Sequence, residues 1–269
     1  MHLRRARHRL VIALSLGILP VSSALGQDAD ELAKKLANPV ASLISVPLQS
    51  NFDFGAGPGH DGFGYTLNIQ PVIPFSLNND WNVITRTIIP LEYRDYIPGQ
   101  DNLFGLGDIN ASVFFTPRQS GLGGIVWGVG PVFLLPTATS DFLGTGKFGA
   151  GPTGLILKQS GPWTVGMLAN HIWSVVGSHD RKDISQTLLQ PFISYGLGHG
   201  VTLSLNTEST YDWVADQWTV PINLAVSKVF KIGEQSMSFQ VGGKYYAEAP
   251  AGAPQWGIRT TLTFLFPEK

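Results

Sequence analysis

The sequence predicts an all-β fold, a transmembrane antiparallel up-and-down β-barrel of about 12 strands with a short N-terminal helical segment. From Ile44 to the C-terminus, segments of roughly ten residues alternate apolar with polar side chains. The connections between these segments alternate between short turns and longer loops. Insertion of a barrel into a membrane sorts connections in this way, because the short turns lie on one side and the long loops on the other.

The N-terminus carries the pattern of a secretory signal peptide at residues 1–26. Several arginines precede an apolar run at 10–19, and small residues at 24–26 form a cleavage site. The apolar run is too short to span a membrane as a helix. We therefore expect export, a periplasmic or plug segment at 27–41, and a barrel in the bacterial outer membrane formed by 42–269.

The segment before the barrel predicts a short helix over Asp28–Ala37. Leu32 and Leu36 share one face, and Asn38-Pro39 ends the helix. Two interpretations stay open for this segment. It is either a periplasmic tail or a piece of chain packed into or beneath the lumen.

The composition excludes several functions. The chain has no cysteine, which excludes thiolate catalysis and cysteine-ligated metals. Charged residues make up 14%, well below the roughly 25% of soluble domains, which suits a surface in contact with lipid. The net charge of −1 gives no basis for binding nucleic acid.

Alternation places the strands near residues 44–54, 65–75, 81–93, 108–115, 125–135, 147–157, 163–175, 186–195, 201–211, 218–229, 237–246 and 256–266. The fifth and sixth strands have two rather apolar faces, so about ten or about fourteen strands remain alternatives. Aromatic residues gather at both ends of the predicted strands, as in the girdles of membrane proteins. The last strand keeps strict alternation and resembles the signal that the barrel-assembly machinery recognises.

The polar set of each strand faces inward by parity and supplies the candidate functional residues. The candidate lumen-lining residues are Asp53, Asn68, Gln70, Asn82, Arg86, Glu92, Asp108, Asn110, Asn170, Gln190, Asn206, Glu208, Asp212, Asn223, Gln240, Lys244 and Arg259. Charges of both signs are present. They either set the selectivity of a narrow pathway or neutralise one another inside a largely closed barrel.

No catalytic, metal or cofactor site is expected. His171 lies on the outward face near Trp173, and a catalytic histidine needs a serine within hydrogen-bond reach. The neighbouring strand, predicted to begin at Gln186, offers Thr187 outward but no adjacent serine. The acidic residues of the loops lack the spacing of a calcium loop. No helix follows the glycine-rich turns to form an anion site.

Several short motifs occur in an order that resembles a known family. They are Asn38-Pro39, Ser42–Pro47, Asn51–Gly55, Gly105–Ile109, Leu135–Thr139, Gly144–Lys147 and Gly151-Pro152. Together they resemble the MetA-pathway phenol-degradation family of bacterial outer-membrane proteins, often described as transporters. The resemblance spans nearly the whole mature chain. It implies a barrel in contact with outer-membrane lipid and passive uptake of small, hydrophobic or aromatic solutes.

Two other functions remain as alternatives, a closed structural or adhesive barrel and a lipid-modifying barrel enzyme. The missing serine beside His171 argues against the enzyme. The sequence leaves the oligomeric state open.

Overall fold

The computed structural model describes residues 21–99 and 102–267, so residues 1–20 of the predicted signal peptide lie outside the described part. The chain forms a closed antiparallel barrel of 12 strands with 3 extra strand segments. The segments are β1 (Ile44–Ala56), β2 (Gly62–Ile69), β3 (Val72–Ser76), β4 (Trp81–Arg94), β5 (Leu103–Leu106), β6 (Ile109–Pro117), β7 (Ile125–Leu135), β8 (Lys147–Ser160), β9 (Trp163–Gly177), β10 (Ser185–Gly198), β11 (Val201–Thr207), β12 (Ser209–Asp212), β13 (Gln217–Ile232), β14 (Gln235–Glu248) and β15 (Trp256–Phe266). The pairing of β1 with β15 joins the first strand to the last. The predicted barrel is confirmed.

Two of the three extra segments arise because a predicted strand is interrupted, and the third, β5, lies between the strands predicted at 81–93 and 108–115. β2 and β3 both pair with β1 and β4, and they are separated at Gln70 and Pro71. Pro71 has no N–H to donate to a strand ladder. β5 and β6 are separated at Gly107 and Asp108, and β11 and β12 at Glu208. Each pair follows the path of one strand, so the barrel keeps its 12 positions.

The two weakly patterned strands are present as β7 and β8, which pair along most of their length. Their inner face is apolar because it belongs to the core of the barrel. Leu155, Leu157 and Val40 are 4%, 2% and 4% exposed and pack in one cluster with Ile84, Phe114 and Leu168. An apolar inner face beside a lipid-facing outer face leaves little alternation to read in the sequence.

The wall has apolar side chains outside and polar side chains inside. On β14, Phe239 is 47% exposed while its neighbour Ser238 is 2% exposed. On β15, Ile258 is 43% exposed and Arg259 is 6% exposed. A soluble sandwich would bury the aromatic and aliphatic residues instead. This inverted distribution is typical of a barrel wall in contact with lipid.

The connections sort to the two ends of the barrel. Turns at 161–162, 199–200 and 233–234 lie at one end, named here the short-turn end. The loops at 136–146 and 178–184 lie at the other, the long-loop end. Within residues 21–99 and 102–267, no helix is long and apolar enough to cross a membrane.

The N-terminal helix α1 (Val21–Leu36) lies at the short-turn end and contacts β10, β11 and β13. Leu32 and Leu43 are buried against Val229 and Leu265, which lie near the ends of their strands. The chain then passes into the barrel, where Val40 joins the apolar cluster described above. The helix was predicted at Asp28–Ala37, and the structure extends it toward the N-terminus.

Candidate functional site

Charged side chains from strands that are not neighbours meet inside the barrel. The Lys244 ammonium on β14 donates to the Asp53 carboxylate on β1 at 2.7 Å, and the two side chains are 5% and 12% exposed. The Arg259 guanidinium on β15 donates to both oxygens of Glu208 at 2.8 and 2.9 Å. β15 separates β14 from β1, and two strands separate β15 from Glu208. Bonds that skip strands in this way must run across the interior.

Polar neighbours complete this cluster. The Tyr246 hydroxyl donates to Asp53 at 3.3 Å and lies 3.2 Å from the Lys244 ammonium. The Arg259 Nε donates to the Asn51 Oδ1 at 2.7 Å. Buried charges need such partners, because an unpaired charge away from water is costly. The cluster is thus held by paired and hydrogen-bonded charges rather than by packing alone.

Arg86 adds a third cation to the cluster from β4. Its guanidinium donates to the Gln70 Oε1 at 3.0 Å, and its charge interacts with that of Glu208. We call Asp53, Glu208, Lys244, Arg259 and Arg86 the charge belt. The belt holds three cations and two anions, so it carries one net positive charge when all five groups are ionised.

The neutral predicted residues are mostly engaged in local hydrogen bonds. The pairs are Asn68 to Gln49 (3.2 Å), Asn82 to Ser42 (3.0 Å), Asn223 to Asn206 (2.9 Å), Gln240 to Ser204 (3.4 Å) and Thr261 to Gln240 (3.5 Å). Asn110 and Asn170 are half-buried. Among the described residues, the Asn223 Oδ1 is a buried side-chain atom without a hydrogen-bond partner. A water molecule or a solute donor would satisfy it.

Three predicted residues lie at the long-loop end, where they fasten loops. Asp108 accepts from the Thr145 N–H at 2.6 Å, the Thr145 hydroxyl at 2.7 Å and the Ala138 N–H at 3.1 Å. Asp212 accepts from backbone N–H groups of the turn that follows it. Glu92 is paired with Arg94. Alternation alone does not distinguish these rim positions from the belt.

A cavity of about 250 Å³ lies between α1 and the inner wall. Its lining is rich in neutral amides and hydroxyls and includes Gln49, Gln70, Gln190, Asn206 and Gln240. Phe192 contributes an aromatic ring. The interior therefore has two zones. Asp53, Glu208, Lys244 and Arg259 lie toward the long-loop end, and a neutral polar cavity lies toward the helix, with Arg86 beside it through Gln70.

Polar contacts tie α1 to the rim of the short-turn end. The Asp30 carboxylate accepts from the Gly200 N–H at 2.5 Å, and the Lys231 ammonium pairs with Asp28 at 3.3 Å. The Gln159 amide donates to the Lys34 carbonyl at 2.8 Å. Each contact joins the helix to a different strand or turn. Together with the buried leucines, they hold α1 against the short-turn end.

The outer wall holds a polar group that the sequence analysis did not resolve. The His171 Nδ1 lies 2.7 Å from the Thr187 Oγ1, and its Nε2 lies 3.3 Å from the Ser185 Oγ. The expectation that no serine is adjacent was wrong. β10 begins at Ser185, one residue before the predicted start, and Ser185 shares the outward parity of Thr187. Starting the predicted strand one residue earlier would have placed Ser185 on the same outward face as Thr187.

This geometry defines a class, a closed membrane-type barrel with a lipid-facing wall and a polar interior. Solved structures share the fold. An outer-membrane channel from Pseudomonas putida F1 superposes with a TM-score of 0.64 at 14% identity, over 83% of this chain and 94% of that one. The NanC porin gives 0.51 at 11% identity, over 83% and 100%. No protein-family model and no curated protein matches the chain. Membership of the MetA-pathway family therefore stays a prediction.

Proposed function

We propose that this chain is an outer-membrane channel for the passive passage of small solutes. The observation that carries the proposal is the polar interior, in which charges meet across the barrel and a neutral cavity lies below them. A barrel that served only as a scaffold would be more stable with an apolar interior, because replacing buried ion pairs by packed apolar groups often stabilises proteins. The fold shared with an outer-membrane channel supports the same function.

The charge belt is the proposed selectivity filter. Its one excess cation favours small anions and neutral solutes over cations, and charge rings set selectivity in this way in other pores. Passage requires no bond-making chemistry and no cofactor. The remaining candidate residues line the walls on either side of the belt.

The solutes are proposed to be small and neutral, aromatic ones included. The cavity below the belt offers hydrogen-bonding amides together with the ring of Phe192. A molecule that joins an aromatic ring to a hydroxyl group would use both kinds of contact. This solute class agrees with the resemblance to a phenol-degradation family.

Helix α1 is the proposed gate. In the described conformation it lies across the short-turn end and is tied there by Asp28 and Asp30. Both residues follow the predicted cleavage site, so the mature chain keeps them. Export through the signal peptide and recognition of β15 by the barrel-assembly machinery remain part of the proposal.

The test is the single-channel conductance of refolded residues 27–269 in a planar bilayer. The double variant Asp28→Ala/Asp30→Ala removes both ties and should lengthen the open intervals. Glu31→Ala is the matched control, because among the described residues Glu31 pairs with Lys35 of the same helix, at 2.9 Å, and not with the barrel. Charge reversal at Arg86 should shift ion selectivity toward cations. A neutral aromatic alcohol should block the current, and Phe192→Ala should weaken that block.

The outcomes separate the alternatives. Discrete current steps that respond to the tie variant and to Arg86 support a gated channel. A barrel that inserts but stays silent in every variant would refute the channel and favour the closed structural or adhesive barrel. Current steps that are unchanged in the Asp28→Ala/Asp30→Ala variant would refute the proposed gate but not the proposed channel.

A further inference from the structure

The outer wall of the barrel holds a serine, a histidine and a threonine in a hydrogen-bonded chain. Ser185, His171 and Thr187 lie on adjacent strands at the long-loop end, with Ser185 to His171 at 3.3 Å and His171 to Thr187 at 2.7 Å. We propose that this group is a hydrolytic site for acyl esters presented at the surface of the membrane. The site is separate from the lumen and does not depend on solute passage.

The geometry matches the roles that nucleophilic catalysis needs. With its proton on Nδ1, the His171 ring donates to the Thr187 oxygen and leaves the Nε2 lone pair for the Ser185 hydroxyl. Ser185 is then the nucleophile and His171 the general base. Thr187 acts through His171 as a positioning residue. The indole N–H of Trp213 donates to the same Thr187 oxygen at 2.8 Å and holds it in place.

The three side chains face outward rather than into the lumen. His171 shares the parity of Trp173, which is 50% exposed, whereas Ile172 between them is 6% exposed. The Trp173 ring lies 4.0 Å from the imidazole, centroid to centroid. Aromatic side chains near strand ends prefer the headgroup level of a membrane. The nucleophile therefore lies where the ester bonds of a lipid would be found.

A shallow apolar groove of about 600 Å³, open along most of its surface, lies beside this group on the outer wall. Ile156, Met167 and Ala169 line it, and His171 and Thr187 lie at its polar end. Ala169 and Gly154 make the groove because they leave no bulky side chain on this part of the wall. An acyl chain in the groove would bring its carboxyl end to Ser185. The occupant that fits is therefore an acyl ester.

The reaction balances with water as the only co-reactant. The Ser185 oxygen bonds to the ester carbonyl carbon while the His171 Nε2 takes the hydroxyl proton. The carbonyl carbon–oxygen bond to the alcohol breaks, and His171 returns the proton to the leaving alcohol. Water then attacks the acyl-serine and gives one proton to His171. The fatty acid leaves, and that proton restores the Ser185 hydroxyl.

The test uses the refolded full barrel in detergent micelles, with a fluorophosphonate probe and a long-chain nitrophenyl ester. The Ser185 oxygen should displace fluoride from the probe and retain the label. Ser185→Ala should abolish labelling, and His171→Ala should slow both reactions about 10²–10⁴-fold, as expected for loss of a general base. Heat-modifiable migration on gels verifies that each variant is folded.

Two further variants test the role of Thr187 and the specificity of the label. Thr187→Val removes the oxygen and should slow labelling, whereas Thr187→Asn restores an acceptor and should recover part of the rate. Ser174→Ala is the matched control, because the Ser174 hydroxyl donates to Asp183 at 3.3 Å instead of to a histidine. A folded wild type that takes no label, or a Ser185→Ala barrel that still does, would overturn the proposal.

Discussion

The pairing of Arg259 with Glu208 leads to an asymmetric prediction. The side chains of Arg259 and Glu208 are 8% and 31% exposed, so the two charges differ in their access to water. Glu208→Gln removes the counter-charge of the more buried cation and one of the two oxygens that accept from it, while the Asn51 Oδ1 still accepts from its Nε. Removing one partner of a buried ion pair lowers the free energy of unfolding by about 3–5 kcal/mol, because the other charge stays buried without its counter-charge. Arg259→Gln instead leaves the more hydrated carboxylate without its partner, so we expect a smaller loss in the free energy of unfolding, roughly 1–2 kcal/mol.

The assay is urea unfolding of the refolded barrel in detergent, followed by tryptophan fluorescence and extrapolated linearly. The double variant Glu208→Gln/Arg259→Gln should cost less than the sum of the single variants by about 1–3 kcal/mol, since coupled residues are not additive. Glu234→Gln in the exposed turn at 233–234 is the control and should change little. An equal or larger loss for Arg259→Gln, or strict additivity, would refute the argument that burial decides the cost.

Two further predictions concern a loop and a glycine. The Lys147 ammonium, 2.6 Å away, lowers the pKa of Asp183 below its ordinary value of 3.8. Because the folded pKa is depressed, this contribution to stability is present above pH 3.8 and is lost as the pH falls through the lower folded value. Carboxyl NMR titration should give a midpoint that Lys147→Gln raises; an unchanged midpoint would contradict the pairing. Gly151→Ala would place a Cβ 1.7 Å from the carbonyl oxygen of His171, so we expect a loss of about 1–3 kcal/mol or failure to fold. At Gly154 on the same strand the nearest atom is 3.8 Å away, so Gly154→Ala should fold normally when both variants are compared by urea unfolding.

Most of the barrel could be predicted because one face of each strand contacts lipid and the other is polar. The predicted bounds of β7 (Ile125–Leu135) and β15 (Trp256–Phe266) agree with the structure to the residue. The interruptions at Pro71 and Glu208 were missed, because the chain continues along the same strand position and the alternation on either side hides the break. β5 (Leu103–Leu106) was also missed, since it precedes the strand predicted to begin at Asp108.

The contacts of the charge belt could not be predicted in the same way. Parity assigned Asp53 and Lys244 to the inner face, but they are 191 residues apart in the chain. Which inward residues meet depends on the circumference and stagger of the closed barrel. Neither the circumference nor the stagger can be derived from the alternation within any one strand. The charge belt was therefore predicted as a set of residues and not as a set of partners.

The outer-wall group shows that the exact residue at which a predicted strand begins can decide whether a candidate site is found. The predicted start at Gln186 and the observed start at Ser185 differ by one residue, a difference that usually changes nothing. Here that residue is Ser185, whose hydroxyl group lies beside His171. Because the predicted strand left it out, the argument for a second site was lost. Strand ends are where the ladder gives way to loops and where polar side chains can meet aromatic ones at the membrane surface. The outer-wall group lies where the alternation stops, and at such positions a periodic pattern carries least information.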